Sequence, residues 1–306
     1  MTSAYGPLVL ICNARSRRGA AMRALPEVRE HLARRELEHE VAYTSGPGDA
    51  TRLARGALDA GGRFLVAVGG DGTVGEVVNG MIEDDRAVAP DAVLGVVAAG
   101  RGCDFVRTFG IPSLPGHAVA HLDGPESFAI DIGKVTCVRD GRTSVRYFAN
   151  IAEVGLGARV ASLAARLPHW LGPTVYLWAF WLSILSHRPA EVVVDLVDRS
   201  YEGRLNSLIV ANGQFFGGGM KIAPKAAPTD GLLDVLIERA ARTEAIALLP
   251  RVYRGEHLPH PDIRLAKRVK ASITAARPLP VEADGESIGH TPATFEVLGD
   301  ALRLKV

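Results

Sequence analysis

The chain lacks paired cysteines, a charge excess, a long apolar run and a Gly-Lys-Ser or Gly-Lys-Thr tripeptide, and each absence removes a class of answer. Only Cys12, Cys103 and Cys137 occur in 306 residues. An odd count without paired spacing excludes a disulfide framework or a zinc ribbon and fits a reducing cytoplasm. The formal net charge is +1, and no run of like charges resembles an interaction tail, so nucleic acid is not an expected partner. The first apolar run, Leu8 to Cys12, is too short for a signal peptide and has no basic residues before it. The greasiest stretch, Trp170 to Leu185, falls short of the roughly 18 apolar residues of a spanning helix and is interrupted by Pro173. It reads first as a buried helix. Its second reading is a surface that meets lipid, which would bring the protein transiently to the inner membrane face.

What is present suits two domains, since the length exceeds a comfortable single core and 47% of residues are hydrophobic. Strand and helix signals alternate through the first part: strands at Leu8–Cys12, Glu40–Tyr43, Phe64–Val68 and Val93–Val97, with helices at Ala20–Arg35, Asp49–Ala60 and Thr73–Ile82. Asp49 is placed to cap its helix. Strands separated by helices predict a parallel α/β sheet, and continuous apolar strands predict that both its faces are covered. From Ile130 onward, short segments divided by Gly, Pro and Asp turns predict antiparallel β structure: Ile130–Val138, Ser144–Ile151, Glu191–Asp198, Asn206–Ala211, Leu232–Ile237 and Val269–Ala275. Helical inserts are expected around Leu163–Ser186 and Thr243–Tyr253. The expected division is a parallel α/β domain over 1–129 and an antiparallel β-sandwich domain over 130–293, with the tail, about 294–306, packing back on the first. No segment reads as an oligomer seam, and a homodimer is left open.

Leu65-Val66-Ala67-Val68 runs into Gly69-Gly70-Asp71-Gly72-Thr73. Such glycines let the chain turn sharply and let phosphate oxygens reach main-chain N–H groups, while the following helix points its positive end at the same spot. Asp71 is too acidic to be a plain phosphate ligand. Its useful roles are to orient magnesium through water or to take a proton from an attacking hydroxyl. Gly70, Gly72 and Gly75 also satisfy the dinucleotide fingerprint, but the next strand ends in Ala98-Ala99-Gly100 without the acid that ribose requires. The absent Gly-Lys-Ser/Thr excludes a P-loop. A plain strand-to-helix turn explains these five residues taken alone, and Asp230-Gly231 and Asp284-Gly285 read alone as turns.

Gly69 to Gly80, GGDGTVGEVVNG, resembles the signature of the diacylglycerol kinase catalytic-domain family of lipid kinases. NAD kinases share only its first five residues. The resemblance continues in order through Asn13–Gly19 (with Ala14 where a proline is usual), Thr44, Leu94–Pro112, Ile130–Val135, Ala211–Ala226, Asp230–Val235 and Val281–Glu286. It implies an ATP-dependent, Mg2+-dependent phosphotransferase of lipid metabolism, acting on diacylglycerol or a related lipid alcohol. It implies that Asn13, Thr44 and Gly69 to Thr73, with Glu76, bind nucleotide. It further implies that Asp284 and Glu286 flank the transferred phosphoryl group, Glu286 being the first choice as proton acceptor, with Asp71 supporting magnesium. Asp230, with main-chain oxygens of Ala227 and Leu232, matches a second, structural magnesium site; hard oxygen ligands suit that ion.

Two residues depart from the family's Gly-Thr-Gly-Asn-Asp-Phe loop: Arg101 replaces a threonine and Cys103 an asparagine. A guanidinium binds phosphate oxygens, so Arg101 is a candidate nucleotide contact. Cys103 has no histidine motif to activate it as a nucleophile. Two alternatives stand beside the lipid kinase: an NAD kinase-like enzyme, and a regulatory protein that binds nucleotide or lipid without turnover.

Overall fold

A computed structural model of the chain describes residues 3–14, 19–99, 103–113, 117, 119–164, 166–167, 175–186, 188–240 and 242–306. Arg101 therefore lies outside the described residues, as do Gly100, Gly102 and Trp170.

The N-terminal part runs β1 (Leu8–Cys12), α1 (Ala20–Arg34), β2 (His39–Tyr43), α2 (Asp49–Asp59), β3 (Phe64–Gly69), α3 (Asp71–Met81), a two-residue hairpin β4 (Ile82–Glu83) and β5 (Arg86–Ala87), β6 (Val93–Ala98) and α4 (Asp104–Phe109). Strands β2, β1, β3 and β6 pair in parallel in that order. Successive residues of β1, β3 and β6 enter opposite cores. Val9, Ile11, Leu65 and Ala67 pack with α2 and α3, whereas Leu8, Leu10, Phe64 and Val66 pack with α1. Both faces are buried, which is why these strands read as unbroken apolar runs.

The rest runs β7 (Ser127–Arg139), β8 (Arg142–Phe148), β9 (Ile151–Gly155), α5 (Leu156–Ala164), α6 (Val175–Ser186), β10 (Ala190–Asp195), β11 (Ser200–Leu205), β12 (Ser207–Ala211), β13 (Leu233–Glu238), α7 (Arg242–Arg254), β14 (Ile263–Arg268), β15 (Lys270–Ala275), β16 (Pro280–Ala283) and β17 (Glu286–Lys305). Its β layers enclose a core of Val135, Phe148, Val154, Val194, Leu208 and Phe295, among others. A second core, with Ile151, Ile209, Leu236, Leu248 and Val252, lies under α7.

One strand ties the two parts together. β17 pairs antiparallel with β16, β15 and β7, and then places Arg303 and Leu304 parallel to Val93 and Leu94 of β6. Its register with β7 shifts between Leu298 and Leu302. There the buried Asp131 carboxylate accepts the N–H of Asp300 at 2.9 Å and that of Gly231 at 2.8 Å.

Several expectations are corrected. Ser144–Ile151 is not one strand: β8 ends at Phe148 and β9 begins at Ile151. The helical insert starts earlier, at Leu156, and forms two helices. Asp49 does not cap α2. Its carboxylate turns back to the N–H and hydroxyl of Ser45, both at 2.8 Å, and the N-cap residue is Gly48.

Candidate active site

The parallel strands β1 and β3 end at Cys12 and Gly69, and their exits meet. Asn13 donates its main-chain N–H to Val68 at 3.2 Å and its side-chain amide to the Thr73 hydroxyl at 3.2 Å. The Thr44 hydroxyl, at the exit of β2, lies 3.5 Å from Asn13 Oδ1. Asn13, Thr44 and Thr73 thus form one polar line at the sheet's carboxyl edge, where α/β folds place ligands. Gly69 is required by close approach, since a Cβ there would lie 2.3 Å from Thr73 Oγ1. A Cβ on Gly70 would meet nothing within 4 Å, so that backbone is open to a ligand's approach.

Asp71, the first residue of α3, serves a second helix. Its Oδ1 accepts the N–H groups of Asp104 and Phe105 at 2.8 and 2.9 Å, closing the start of α4, and the Cys103 thiol lies 3.6 Å away. Burial, and then the Asp71 charge, push the Cys103 thiol well above its ordinary range. A thiol held protonated is no nucleophile. Asp104 is buried and locks the same loop. It pairs with Arg107 and accepts the Gly218 N–H at 2.7 Å, joining α4 to the glycine-rich segment 217–219 of the β-rich part.

Asp284 and Gly285 form the turn between β16 and β17, with φ of 48° and 85°. The Asp284 carboxylate points inward and accepts three main-chain N–H groups, from Ala149 at 2.8 Å and from Asn150 and Ile151 at 3.0 Å. Those donors are the break between β8 and β9. Burial pushes Asp284 up to about 6, against the three N–H groups that hold it down. The neighbouring Asp71 charge adds to the rise. Its Oδ2 also sits where a Cβ on Gly75 would meet it at 3.6 Å, which sets α3 against this turn.

Asn150 joins the two acids. Its N–H is one of the three on Asp284, and its side-chain amide donates to Asp71 Oδ1 at 3.2 Å. The remaining side-chain oxygen, Asn150 Oδ1, is buried without a hydrogen-bond partner. Sequence reasoning missed Asn150. The available signal was an Asn directly after the apolar pair Phe148-Ala149, where a strand should have continued. It also missed Asn79 of α3, whose side chain exchanges hydrogen bonds with the Tyr147 main chain at 2.8 and 3.0 Å and so clamps α3 to β8.

Glu286 lies at the cleft mouth, its side chain 45% exposed, with Arg146 Nη2 2.7 Å from Oε2. Burial of part of the carboxylate raises its pKa, Arg146 opposes the rise, and the Glu76 charge adds to it. Glu76 itself holds the start of α2, accepting the N–H groups of Gly48 at 2.9 Å and Ala50 at 3.0 Å. Its carboxylate thus shapes the turn beside the Gly-rich segment and does not face it as a cradle.

The acids do not build a metal cage of their own. Among the described residues, the one set of three metal-ligating side chains within 4.8 Å of one another is Glu244, His260 and Asp262, remote in sequence from these acids. Asp71 and Asp284 suit magnesium held mainly by phosphate oxygens, the usual mode for an ion that keeps its waters and takes one or two carboxylates. The Asp230 loop does not fit a magnesium ion. Lys267 Nζ stands 2.5 Å from Asp230 Oδ2 and 3.5 Å from Asp234 Oδ2, while Asp230 Oδ1 accepts the Leu232 N–H and the Ala227 carbonyl accepts two N–H groups. The Lys225 charge steadies Asp234 as well. The Lys267 ammonium thus stands between the two carboxylates, where a cation would sit. Removal of one partner of a buried pair is strongly destabilising, and exposure softens the loss. Lys267→Met should lower stability by about 2 kcal/mol and make the melting temperature respond to added magnesium, whereas the parent chain should melt alike in magnesium and in chelator. A chelator-sensitive parent chain would restore a metal to this loop.

With this geometry in hand, the comparisons agree. Residues 7–135 match the diacylglycerol kinase catalytic domain, and residues 150–306 match the YegS C-terminal NAD kinase beta sandwich-like domain. A diacylglycerol kinase of Bacillus subtilis (strain 168) is 29% identical, covering 94% of this chain and 91% of its own. A "Probable lipid kinase YegS-like" of Chromohalobacter salexigens is 32% identical, covering 92% and 88%. The crystal structure of a diacylglycerol kinase from Bacillus anthracis str. Sterne superposes with a TM-score of 0.73 at 21% identity, covering 98% of this chain and 96% of its own, and shows the shared fold. The NAD kinase reading loses its ground, because the family models and these relatives fall on the lipid branch. The ordered motifs, the paired acids at the carboxyl edge of the sheet and these matches lead to one statement: the chain belongs to the diacylglycerol kinase family, and it is an ATP-using lipid kinase.

Proposed function

We propose that this protein transfers the γ-phosphoryl group of ATP, carried with Mg2+, to the hydroxyl of diacylglycerol or a closely related lipid alcohol. The observation that carries the reading is the Asn150 link, which fixes an acid from each half of the chain, Asp71 and Asp284, on one residue beside the Gly-rich turn. Phosphoryl transfer needs positioning and charge stabilisation more than covalent help, and a rigid pair of acids at a helix start supplies both. Relatives named as diacylglycerol kinases support the acceptor.

In this reading Asn13, Thr44 and Thr73 position the nucleotide, and the open backbone of Gly70 and Gly72 meets the phosphates. Asp71 and Asp284 would hold the magnesium that comes with the nucleotide, and the ion would supply charge neutralisation on those phosphates. Glu286, whose Oε2 is held by Arg146, takes the proton of the acceptor hydroxyl from the cleft mouth. Residues 1–129 form the nucleotide side, and 130–293 the lipid side. A protein that only binds nucleotide has no use for three acids poised in this way, but it remains the outcome to exclude. Incubation with radiolabelled ATP over a panel of lipid alcohols and NAD decides the matter. Labelled diacylglycerol is expected. Labelled NAD, or nucleotide binding without any labelled product, overturns the proposal.

A further inference from the structure

Helix α6 carries no charged residue and yet presents an apolar stripe to solvent. Trp178, Trp181, Leu182 and Leu185 are 52%, 40%, 45% and 71% exposed. Their spacing of i, i+3, i+4 and i+7 puts them on one face of the helix. The opposite face is packed, since Ala179, Ser183 and Ile184 are buried. The sequence-based expectation of a buried helix therefore holds for half of α6, and the stripe on its other face is exposed.

The surroundings select an occupant. No Asp or Glu occurs between Glu153 and Glu191, whereas Arg159, Arg166 and Arg188 do, and all three are exposed. Arg277 joins them, donating to the Arg188 carbonyl at 2.8 Å just beyond the end of α6. The acid that closes the segment, Glu191, is paired with Arg204. Indole rings with one polar N–H, leucines and arginines, in a stretch of chain without acids, match the boundary between acyl chains and anionic headgroups. A second copy of the chain suits the stripe less well: the four side chains offer about 400 Å², against roughly 800 Å² per partner in a standard interface. The location also serves the chemistry. α6 packs on α5, and α5 packs on β16, which leads into the turn that carries Asp284, and on β9, which pairs with β16.

We propose that the Trp178–Leu185 face of α6 is the surface by which the protein docks on an anionic lipid bilayer, seating the cleft beside the membrane. This rests on the lipid-acceptor reading above and names the surface that reading requires. Exposed substitutions away from packed features usually change stability by no more than about 0.5 kcal/mol, so Trp178→Ser combined with Leu185→Ser is a fair variant. The probes are vesicles of phosphatidylcholine alone and vesicles in which phosphatidylglycerol is mixed with it. Co-sedimentation of the parent chain should be at least about tenfold stronger with the anionic vesicles, and the double variant should lose about tenfold of that partition at an unchanged melting temperature. Turnover of a short-chain, water-dispersed diacylglycerol should be kept by the variant while turnover of vesicle-borne diacylglycerol falls. Equal pelleting of parent and variant overturns the proposal. So does a parent chain that sediments as a dimer and a variant that sediments as a monomer, which assigns the stripe to a second copy. Absence of turnover on the dispersed lipid by the parent chain strikes at the acceptor reading, and vesicle pelleting is read independently of it.

Discussion

Asp284→Asn should cut turnover by at least about a hundredfold, the scale of losing one preorganised electrostatic contact at a transition state. The carboxylate accepts three main-chain N–H groups from 149 to 151. An asparagine has one acceptor oxygen and must aim its NH2 at donors already present. Leaving such a donor unpaired costs about 1–3 kcal/mol, so the variant should also melt lower. The chemical loss must exceed what that loosening explains. A control is Asn150→Ala, which keeps the main-chain donor to Asp284 but deletes the side-chain link to Asp71. It should lower turnover less and leave the pH profile in place.

The pH profile separates the roles. Asp284 is raised from 3.8 to about 6, chiefly by burial. If its charged form serves catalysis as proposed, activity should climb as pH rises through about 6 and then level off. Stability runs the other way. A raised carboxyl pKa means the fold prefers the proton, so this group's contribution is fully present below 3.8 and is lost as pH rises through about 6. In Asp284→Asn the acidic limb of the remaining activity should vanish. If turnover stays within about threefold of the parent while the melting temperature falls, Asp284 is a clip for the chain break and not part of the chemistry.

Gly69→Ala should be the most damaging single methyl group in the nucleotide corner. The added carbon would lie 2.3 Å from Thr73 Oγ1 and 2.7 Å from Thr73 Cβ. Neither neighbour is the free end of a long side chain, and Thr73 is buried. Thr73 must leave Asn13, and overpacking of this kind costs about 1–3 kcal/mol. The melting temperature should fall and the KM for ATP should rise. Gly69→Ala with Thr73→Ala removes the 2.3 Å contact with Oγ1 but leaves the Thr73 Cβ 2.7 Å away, so it should recover only part of the stability while leaving the ATP defect. Gly70→Ala is the contrasting case, because the fold has room for it. It should melt like the parent and still raise the KM for ATP, if phosphate oxygens approach that backbone. A normal KM in Gly70→Ala places the phosphates elsewhere.

The parallel sheet was legible because its strands carry their own signature. Leu8–Cys12 and Phe64–Gly69 are apolar at every position, and each position is buried. What was not legible depended on distant partners. The break after Phe148 is marked in the sequence only by Asn150, because what holds it is a carboxylate more than a hundred residues away. Asp49 looks like a cap until its carboxylate is seen to take the Ser45 N–H and hydroxyl, while Glu76, on another helix, accepts the N–H groups of Gly48 and Ala50 at the start of α2. Ser200–Leu205 and Ile263–Arg268 are polar enough to pass for loops and become strands by pairing with β10 and β13. The candidate site followed the same rule. The acids stood out as residue types within motifs, whereas Asn150 and Lys267 matter through contacts that sequence spacing does not reveal.

β17 bears on how far the two halves are separate modules. The family models divide the chain at residues 135 and 150, which invites hybrids that take the first half from one relative and the second from another. The last strand defeats that cut. Its final residues line up with Val93 and Leu94, and its middle with β7, so a hybrid inherits β17 from one parent and two of its neighbours from the other. The mismatch falls along the seam that fixes the Asp284 turn relative to the Gly-rich turn. Transplanted substrate preferences should therefore travel only when residues 286–305, β6 and β7 are moved as a set.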